Sequence, residues 1–229
     1  MRVIVVGANR GLGLVLVKLL LSNGHNVAAG YRQTPSQELQ NLKQEYHAQL
    51  LLYTCDVTDE AEVINSVELL RQFELKYDAV CNVAGVLLDS DRMNQIHECD
   101  ISDFRKTFEV NVIGAVIVAK YYTPLIEQDG LMLTITSEGT GIKQCGSWVP
   151  AYALSKTAAT KMSGIFNVSN SNINYYSVHP GRMNTDMGRT TAQIEPEVAA
   201  EGIYKLISGE TNLTRAQWYI DYNGVGMNV

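Results

Sequence analysis

The 229-residue chain is short of the residues that mark several protein classes. Its four cysteines, Cys55, Cys81, Cys99 and Cys145, are widely spread and contain no Cys-x-x-Cys pair, which argues against a disulfide framework or a zinc site. The four histidines, His25, His47, His97 and His179, form no ligand-spaced cluster, so no metal is expected. No apolar run approaches the ~20 residues of a membrane span, and a strand pattern that begins at Arg2 leaves no room for a leader peptide. Positive charge is scarce: 18 Lys and Arg stand against 24 Asp and Glu, a net charge of -6. That balance disfavours nucleic acid or an anionic membrane as partner, and any anionic ligand then needs a local basic spot. There is no low-complexity tract, internal repeat or linker. With 46% hydrophobic and 18% charged residues, the expectation is one soluble, cytoplasmic domain over residues 1–229 with a sizeable core.

What is present is alternation. Short β-branched or apolar runs at residues 2–6, 26–30, 49–54, 77–81, 131–135, 173–178 and 217–221 read as about seven strands. Between them lie helical stretches beginning after the Gly7 turn and at residues 35–47, 59–73, 102–122, 151–168 and 197–207, with Ser102 as an expected N-cap. Residues 88–100 read as irregular and polar, and residues 139–150 as a loop. Such alternation suits right-handed crossovers, hence an α/β doubly wound parallel sheet, Rossmann-like, with helices on both faces.

The helix at residues 151–168 opens with Tyr152-Ala153-Leu154-Ser155-Lys156. Residues four apart share a helix face, so Tyr152 and Lys156 point the same way. An ammonium ~4 Å from a phenol contributes about 4 kcal/mol at an effective dielectric near 20, roughly three pKa units. That is enough to bring a tyrosine from ~10 to near neutrality, where general acid–base work is efficient. A Tyr-x-x-x-Lys spacing alone also arises by chance, as a surface Tyr beside a solvated Lys. Its weight comes from what precedes it.

Gly7-Ala8-Asn9-Arg10-Gly11-Leu12-Gly13 follows the first strand and opens the first helix. Backbone amides at a helix start form an anion site, and glycines let a pyrophosphate approach closely. The Gly-x-x-x-Gly-x-Gly spacing differs from the commoner Gly-x-Gly-x-x-Gly. Together with Asp56-Val57, Asn82-Val83-Ala84-Gly85, Asn111, Ser137, Tyr152/Lys156 and His179-Pro180-Gly181-Arg182-Met183-Asn184-Thr185, all in order along the chain, it resembles the short-chain dehydrogenase/reductase family. The likeness is to its small single-domain branch of carbonyl reductases and C-factor-like proteins. Val6 and Val83 stand where the family often has threonine and asparagine, and the interval from Ser137 to Tyr152 is slightly long, which makes Ser147 a competitor. Ser137 is preferred because it directly follows a strand at the carboxyl edge.

The resemblance implies hydride transfer between a nicotinamide and a carbonyl or alcohol carbon. Tyr152 is then the general acid/base, Ser137 the hydrogen-bond donor to the substrate oxygen, Lys156 the group that lowers the tyrosine pKa and holds the ribose, and Asn111 the holder of a water leading to solvent. Gly7, Asn9, Arg10, Gly11, Leu12 and Gly13 are expected at the cofactor, with Asp56, Val57, Asn82, Ala84, Gly85, Pro180, Gly181, Met183 and Thr185. Strand two ends Ala28-Ala29-Gly30-Tyr31-Arg32 with no acid before Glu38. An acid there would suit a ribose hydroxyl, whereas Arg32 and Arg10 suit a 2′-phosphate. NADP(H) is therefore expected over NAD(H).

A short substrate loop is expected at residues 181–196, carrying Met183, Met187 and Ile194 beside Arg182, Asp186 and Arg189, with Trp148, Val149, Met93 and Leu87 as apolar wall. Small or hydrophobic aldehydes and ketones fit a rather open site. Other readings are an NADP(H)-binding regulatory or signalling protein with little turnover, and, against the absence of any Gly-x-Ser-x-Gly, a serine hydrolase. The family implies a homodimer or homotetramer, although Thr157, Thr160, Lys161 and Gly164 read as a fairly polar outer face.

Overall fold

In a computed structural model, residues 1–73, 75–140, 146–188 and 192–228 are described; Cys145 and Arg189 lie outside them. The seven apolar runs become β1 (Arg2–Val6), β2 (Asn26–Tyr31), β3 (Leu50–Thr54), β4 (Tyr77–Asn82), β5 (Ile126–Ile135), β6 (Asn174–His179) and β7 (Tyr219–Asp221). They form one sheet in the order β3-β2-β1-β4-β5-β6-β7, every neighbouring pair parallel. The order reverses between β1 and β4. In such sheets the carboxyl edge at the reversal is where a ligand finds room.

Among the described residues, eight α-helices connect the strands: α1 (Gly11–Ser22), α2 (Gln37–Tyr46), α3 (Glu60–Arg71), α4 (Asp89–Met93), α5 (Ile101–Phe108), α6 (Gly114–Tyr122), α7 (Pro150–Ser169) and α8 (Pro196–Ser208). Because both sheet faces are covered, the strands are apolar on both sides rather than alternating. On one face Leu16, Val17 and Leu20 of α1, Leu39 of α2 and Ile203 and Leu206 of α8 pack on Val3, Val5 and Ala29. On the other, Val63, Val67 and Leu70 of α3 and Val118 and Tyr122 of α6 pack on Ile4, Val6 and Val80. Local capping agrees with the sequence where a suitable side chain exists. Ser36 Oγ accepts from Leu39 N at 3.2 Å, and Asp59 accepts from Ala61 N and Glu62 N at 3.0 and 3.1 Å.

Four expectations are corrected. Ser102 does not cap: the helix begins at Ile101 with Asp100 at the N-cap position, making no side-chain cap bond. The stretch read as one helix over 102–122 is α5 and α6 joined by a π turn, Glu109–Ile113, that carries Asn111. The segment read as irregular contains α4, a five-residue helix too short to show a periodicity. The outer face of α7 is mixed, with Lys161 exposed as expected but more apolar surface than the sequence implied. Thr160 is buried against Ser177 Oγ at 2.9 Å and Gly164 lies under Trp218, leaving Leu154, Ile165 and Val168 at 47%, 57% and 87% exposure. Strand ends also move: β5 starts at Ile126 rather than residue 131, and β7 at Tyr219 rather than residue 217.

Candidate active site

One cleft of about 2050 Å³ runs along the carboxyl edge of the sheet. Ordinary small-ligand pockets hold ~300–1,000 Å³, so this one has room for a dinucleotide and a second molecule. Its floor at the β1–α1 turn is made of missing side chains. Gly7 (φ +88°) and Gly11 (φ +52°) have left-handed backbones. A Cβ on Gly7 would lie 2.7 Å from Ala84 N, and one on Gly13 would lie 2.2 Å from Gly7 O. Both contacts are with backbone, which has nowhere to go. The turn is therefore as close to the β4 loop and to α1 as a chain can come, with its amides at a helix start. That is the shape an anionic diphosphate needs.

The sequence-expected cofactor residues gather here. Gly7, Asn9, Arg10, Gly11, Leu12, Arg32, Asp56, Val57, Ala84, Gly85, Pro180, Gly181, Met183 and Thr185 all border the cleft. Gly13 and Asn82 do not border it; they support it. Asn82 is buried and its Oδ1 accepts from Ala84 N at 3.2 Å. Asn9 braces the neighbouring loop, its Nδ2 donating to Thr34 O at 3.0 Å and its Oδ1 accepting from Ser36 N at 2.6 Å. Asp56 Oδ1 accepts from Thr58 N and Thr58 Oγ1 at 3.0 and 2.7 Å. Arg10 is largely exposed and lies 3.8 Å from Asp186, and Arg32 is exposed at the end of β2.

At the other end stand Ser137, Tyr152 and Lys156. All three border the cleft, and the Ser137 hydroxyl lies near enough to the Tyr152 phenol to lower its pKa. Tyr219 Oη on β7 donates to Ser137 O at 2.8 Å, fixing that residue's backbone. Ser147 also borders the cleft, but Ser137 is the serine that acts on the Tyr152 phenol's pKa. Lys156 is buried, its Nζ 5.6 Å from the Tyr152 ring centroid and donating to Ile135 O at 2.8 Å.

The charges differ from the sequence expectation. Burial pushes the Tyr152 phenol up to about 12, against smaller lowering effects of the Ser137 hydroxyl and the Arg92 guanidinium. Burial pulls the Lys156 ammonium down to about 8. Without ligand, then, Lys156 is the group that titrates near neutrality and Tyr152 keeps its proton. The reason is physical: burial disfavours the charged form of each group, the phenolate of Tyr152 and the ammonium of Lys156 alike.

Asn111 sits in the π turn, a feature common at functional sites. Both of its Nδ2 donors are used, on Val86 O and Ser155 Oγ at 2.9 Å each, while its Oδ1 accepts from Val86 N at 2.8 Å. Its side chain thus ties the β4 loop to α7. Of the expected apolar wall, Leu87, Trp148 and Val149 border the cleft, but Met93 points away at 82% exposure. Of the loop expected to meet substrate, Met183 and Met187 border the cleft while Ile194 turns inward against Gly181 and bridges Met183.

Three site residues escaped the sequence reading. Asp91, 2% exposed, accepts from Ala151 N at 2.9 Å and Tyr152 N at 2.8 Å. Arg92 borders the cleft and donates to Met187 O. Glu138 accepts from Arg182 Nε and lies 3.8 Å from His179 Nε2, whose ring burial holds below its usual pKa. Each acts on a partner dozens of residues away, so no local spacing marks it. Among the described residues no group of three or more His, Cys, Asp or Glu is placed to hold a metal, and no helix is long and apolar enough to cross a membrane.

The model of the short-chain dehydrogenase family matches residues 1–195. The benzil reductase ((S)-benzoin forming) of Saccharomyces cerevisiae is 30% identical over 161 residues, 68% of this chain and 60% of that protein, so the match spans less than two thirds of the relative's length. Among solved structures, the carbonyl reductase Sniffer of D. melanogaster superposes with a TM-score of 0.90 at 22% identity, over 100% of this chain and 99% of that one. A short-chain dehydrogenase/reductase from Burkholderia multivorans with bound NADP gives 0.89 at 21%, again over 100% and 99%. At these identities the structures speak for the fold. With the sheet order, the glycine cradle and the family match in agreement, the chain belongs to the short-chain dehydrogenase family of oxidoreductases.

Proposed function

We propose that this protein is an NADP(H)-dependent carbonyl reductase, with Asn111, Ser137, Tyr152 and Lys156 as its working residues. The observation that carries the reading is the convergence of Ser137, Tyr152 and the buried Lys156 on one cleft, with Lys156 Nζ 5.6 Å from the Tyr152 ring centroid. The glycine cradle, which any Cβ would fill, fits a dinucleotide diphosphate. Arg10 and Arg32, both bordering the cleft, fit a ribose 2′-phosphate by charge-assisted bonds. The nicotinamide supplies the hydride that goes to the substrate's carbonyl carbon.

The chain's own groups handle the oxygen. Ser137 donates a hydrogen bond to it as negative charge develops. Tyr152 then transfers its proton to the same atom. A phenol pushed up to about 12 keeps its proton at neutral pH and so has one to give to the carbonyl oxygen. Lys156, mostly protonated at pH 7, supplies the positive charge that steadies the phenolate left behind. With both Nδ2 donors of Asn111 committed, a water leading to Lys156 would donate to its Oδ1, which accepts one bond from Val86 N and has a second lone pair. Leu87, Trp148 and Ile96 offer apolar surface at the substrate end, suiting hydrophobic aldehydes and ketones. The cytoplasmic setting and a homodimer or homotetramer belong to the same reading, the exposed Leu154, Ile165 and Val168 on α7 supplying an apolar face.

The test is NADPH oxidation with benzil, chosen from the yeast relative's name, and a panel of small aldehydes, ketones and quinones. Wild type turns over, Tyr152→Phe loses at least about a hundredfold in kcat, and both bind NADPH. Replacing Arg10 and Arg32 by Ser weakens NADPH about tenfold or more per residue while leaving NADH unchanged. Full activity in Tyr152→Phe overturns the mechanism, and tight NADPH binding without turnover on any panel member favours a regulatory protein.

A further inference from the structure

Three consecutive residues of α4 reach three different parts of the site. Ser90 Oγ donates to Asp103 Oδ2 on α5 at 2.5 Å. Asp91 accepts from the backbone amides of Ala151 and Tyr152 with one carboxylate oxygen each. Arg92 donates to Met187 O in the substrate loop and lies 3.8 Å from Asp89.

The middle contact answers a specific need of α7. Its N-cap residue, Val149, is a β-branched residue with φ +48° and makes no side-chain cap bond, and Pro150 at the first helical position has no N–H. The helix start is therefore strained and lacks a local acceptor for its next two amides, those of Ala151 and Tyr152. Both go to a carboxylate 60 residues earlier in the chain, itself 2% exposed. One of those amides belongs to the residue that bears the reacting phenol, so a shift of Asp91 is a shift of Tyr152.

We propose that α4 is the positioning element of the reaction, with Asp91 setting Tyr152 through the first turn of α7 and Arg92 setting the substrate loop through Met187. Neither residue exchanges a proton with substrate. Asp91 governs the proton-transfer geometry, and Arg92 governs where Met187 stands at the cleft. This rests on Tyr152 being the proton donor, and the test separates the two.

The experiment uses the full chain with NADPH and benzil, comparing Asp91→Asn, Asp91→Ala and Arg92→Met, with Tyr152→Phe beside them. Asp91→Asn keeps one acceptor and Asp91→Ala keeps none. The expected result is a graded fall in kcat, about tenfold then about a hundredfold, with NADPH affinity unchanged and a solvent deuterium isotope effect on kcat that rises from wild type to variant. Loss of folded enzyme alone lowers kcat without changing that isotope effect. Arg92→Met raises KM for benzil and leaves the isotope effect at the wild-type value. Hydrogen exchange is read on the same proteins: the Ala151 and Tyr152 amides open in the Asp91 variants and stay protected in Arg92→Met, while residues 182–188 do the reverse. Exchange decides the clamp even where benzil turns over poorly. Unchanged protection at Ala151 and Tyr152 in Asp91→Ala, or a wild-type isotope effect in it, overturns the proposal. Full activity in Tyr152→Phe overturns the parent mechanism instead, whatever the exchange pattern.

Discussion

At the β1–α1 turn the cleft is shaped by absent atoms: Gly7 and Gly13 leave no space for even a Cβ, and the neighbours that would be struck are backbone. At the far end, around α4, it is shaped by side chains reaching across the chain, Asp91 to residues 60 and 61 positions later and Arg92 to one 95 positions later. The first region is rigid because the backbone closes on itself. The second is held by a handful of polar contacts to loops, with strain stored at Val149 and exposed Trp148 and Ile96 at its rim. A binding end made of backbone suits a ligand that is always the same, and an end made of side chains on loops admits variation in what is bound.

The hardest way to break this contrast is at Gly13. A methyl group there lands 2.2 Å from Gly7 O and 3.1 Å from Ala8 Cα, so either α1 or the turn must move. Gly13→Ala is expected to lose about 3 kcal/mol of stability and to abolish NADPH binding. Thermal melting with and without NADPH measures both. A variant that melts normally and still binds means the turn is pliable, and the contrast falls.

Lys156 stands between the two regions, and its energetics run against its function. Its pKa is pulled by burial from 10.5 to about 8, so folding disfavours its charged form. Below about pH 8 the ammonium is buried at a cost; between about 8 and 10.5 the unfolded chain holds the proton and the folded chain does not, so stability rises with pH across that window. The full shift corresponds to about 3 kcal/mol. Lys156→Met is expected to be more stable than wild type at pH 7 by up to that amount, less the lost bond to Ile135 O, with the advantage shrinking toward pH 10 and with turnover lost. Urea unfolding at pH 6, 7, 8 and 9 measures it. A pH-independent difference means the lysine is not desolvated.

The same contrast explains what was legible in the sequence. The parallel sheet, its seven strands, the glycine turn, and the placing of Ser137, Tyr152 and Lys156 in one cleft are carried by local pattern: β-branched runs, glycine spacing, and a four-residue helical offset. Asp91, Arg92 and Glu138 are illegible because their partners lie 44 to 95 residues away and nothing in their neighbourhood differs from a polar loop. Ser102 failed as a cap because the fold began the helix one residue earlier, at Ile101. The phenol's pKa was misjudged for a related reason. Spacing places Lys156 beside Tyr152, but only the packed structure shows that the lysine is buried, its ammonium donating to Ile135 O, and that desolvation outweighs its pull on the phenol.

The smallest expected effect lies at the rim of the side-chain-built end. Trp148 borders the cleft, is 51% exposed, and is among the largest apolar surfaces there. Half its area is already in water, so a bound carbonyl compound gains only the part of the indole it covers. At about 25 cal/mol per Å² that is on the order of 1 kcal/mol. Trp148→Ala is therefore expected to raise KM for a hydrophobic ketone about fivefold, leave KM for a small aliphatic aldehyde unchanged, and leave kcat and NADPH affinity as they were. Steady-state kinetics with the two carbonyl compounds side by side measures the difference. The outcome also ranks the two regions, since it removes a whole indole from one and the Gly13 variant adds a single methyl to the other. If the indole costs less than the methyl, cofactor geometry is the fixed term of this cleft and substrate geometry the adjustable one. If losing Trp148 lowers kcat as well, the rim helps to orient the reacting carbonyl, and the side-chain-built end is as exacting as the glycine turn.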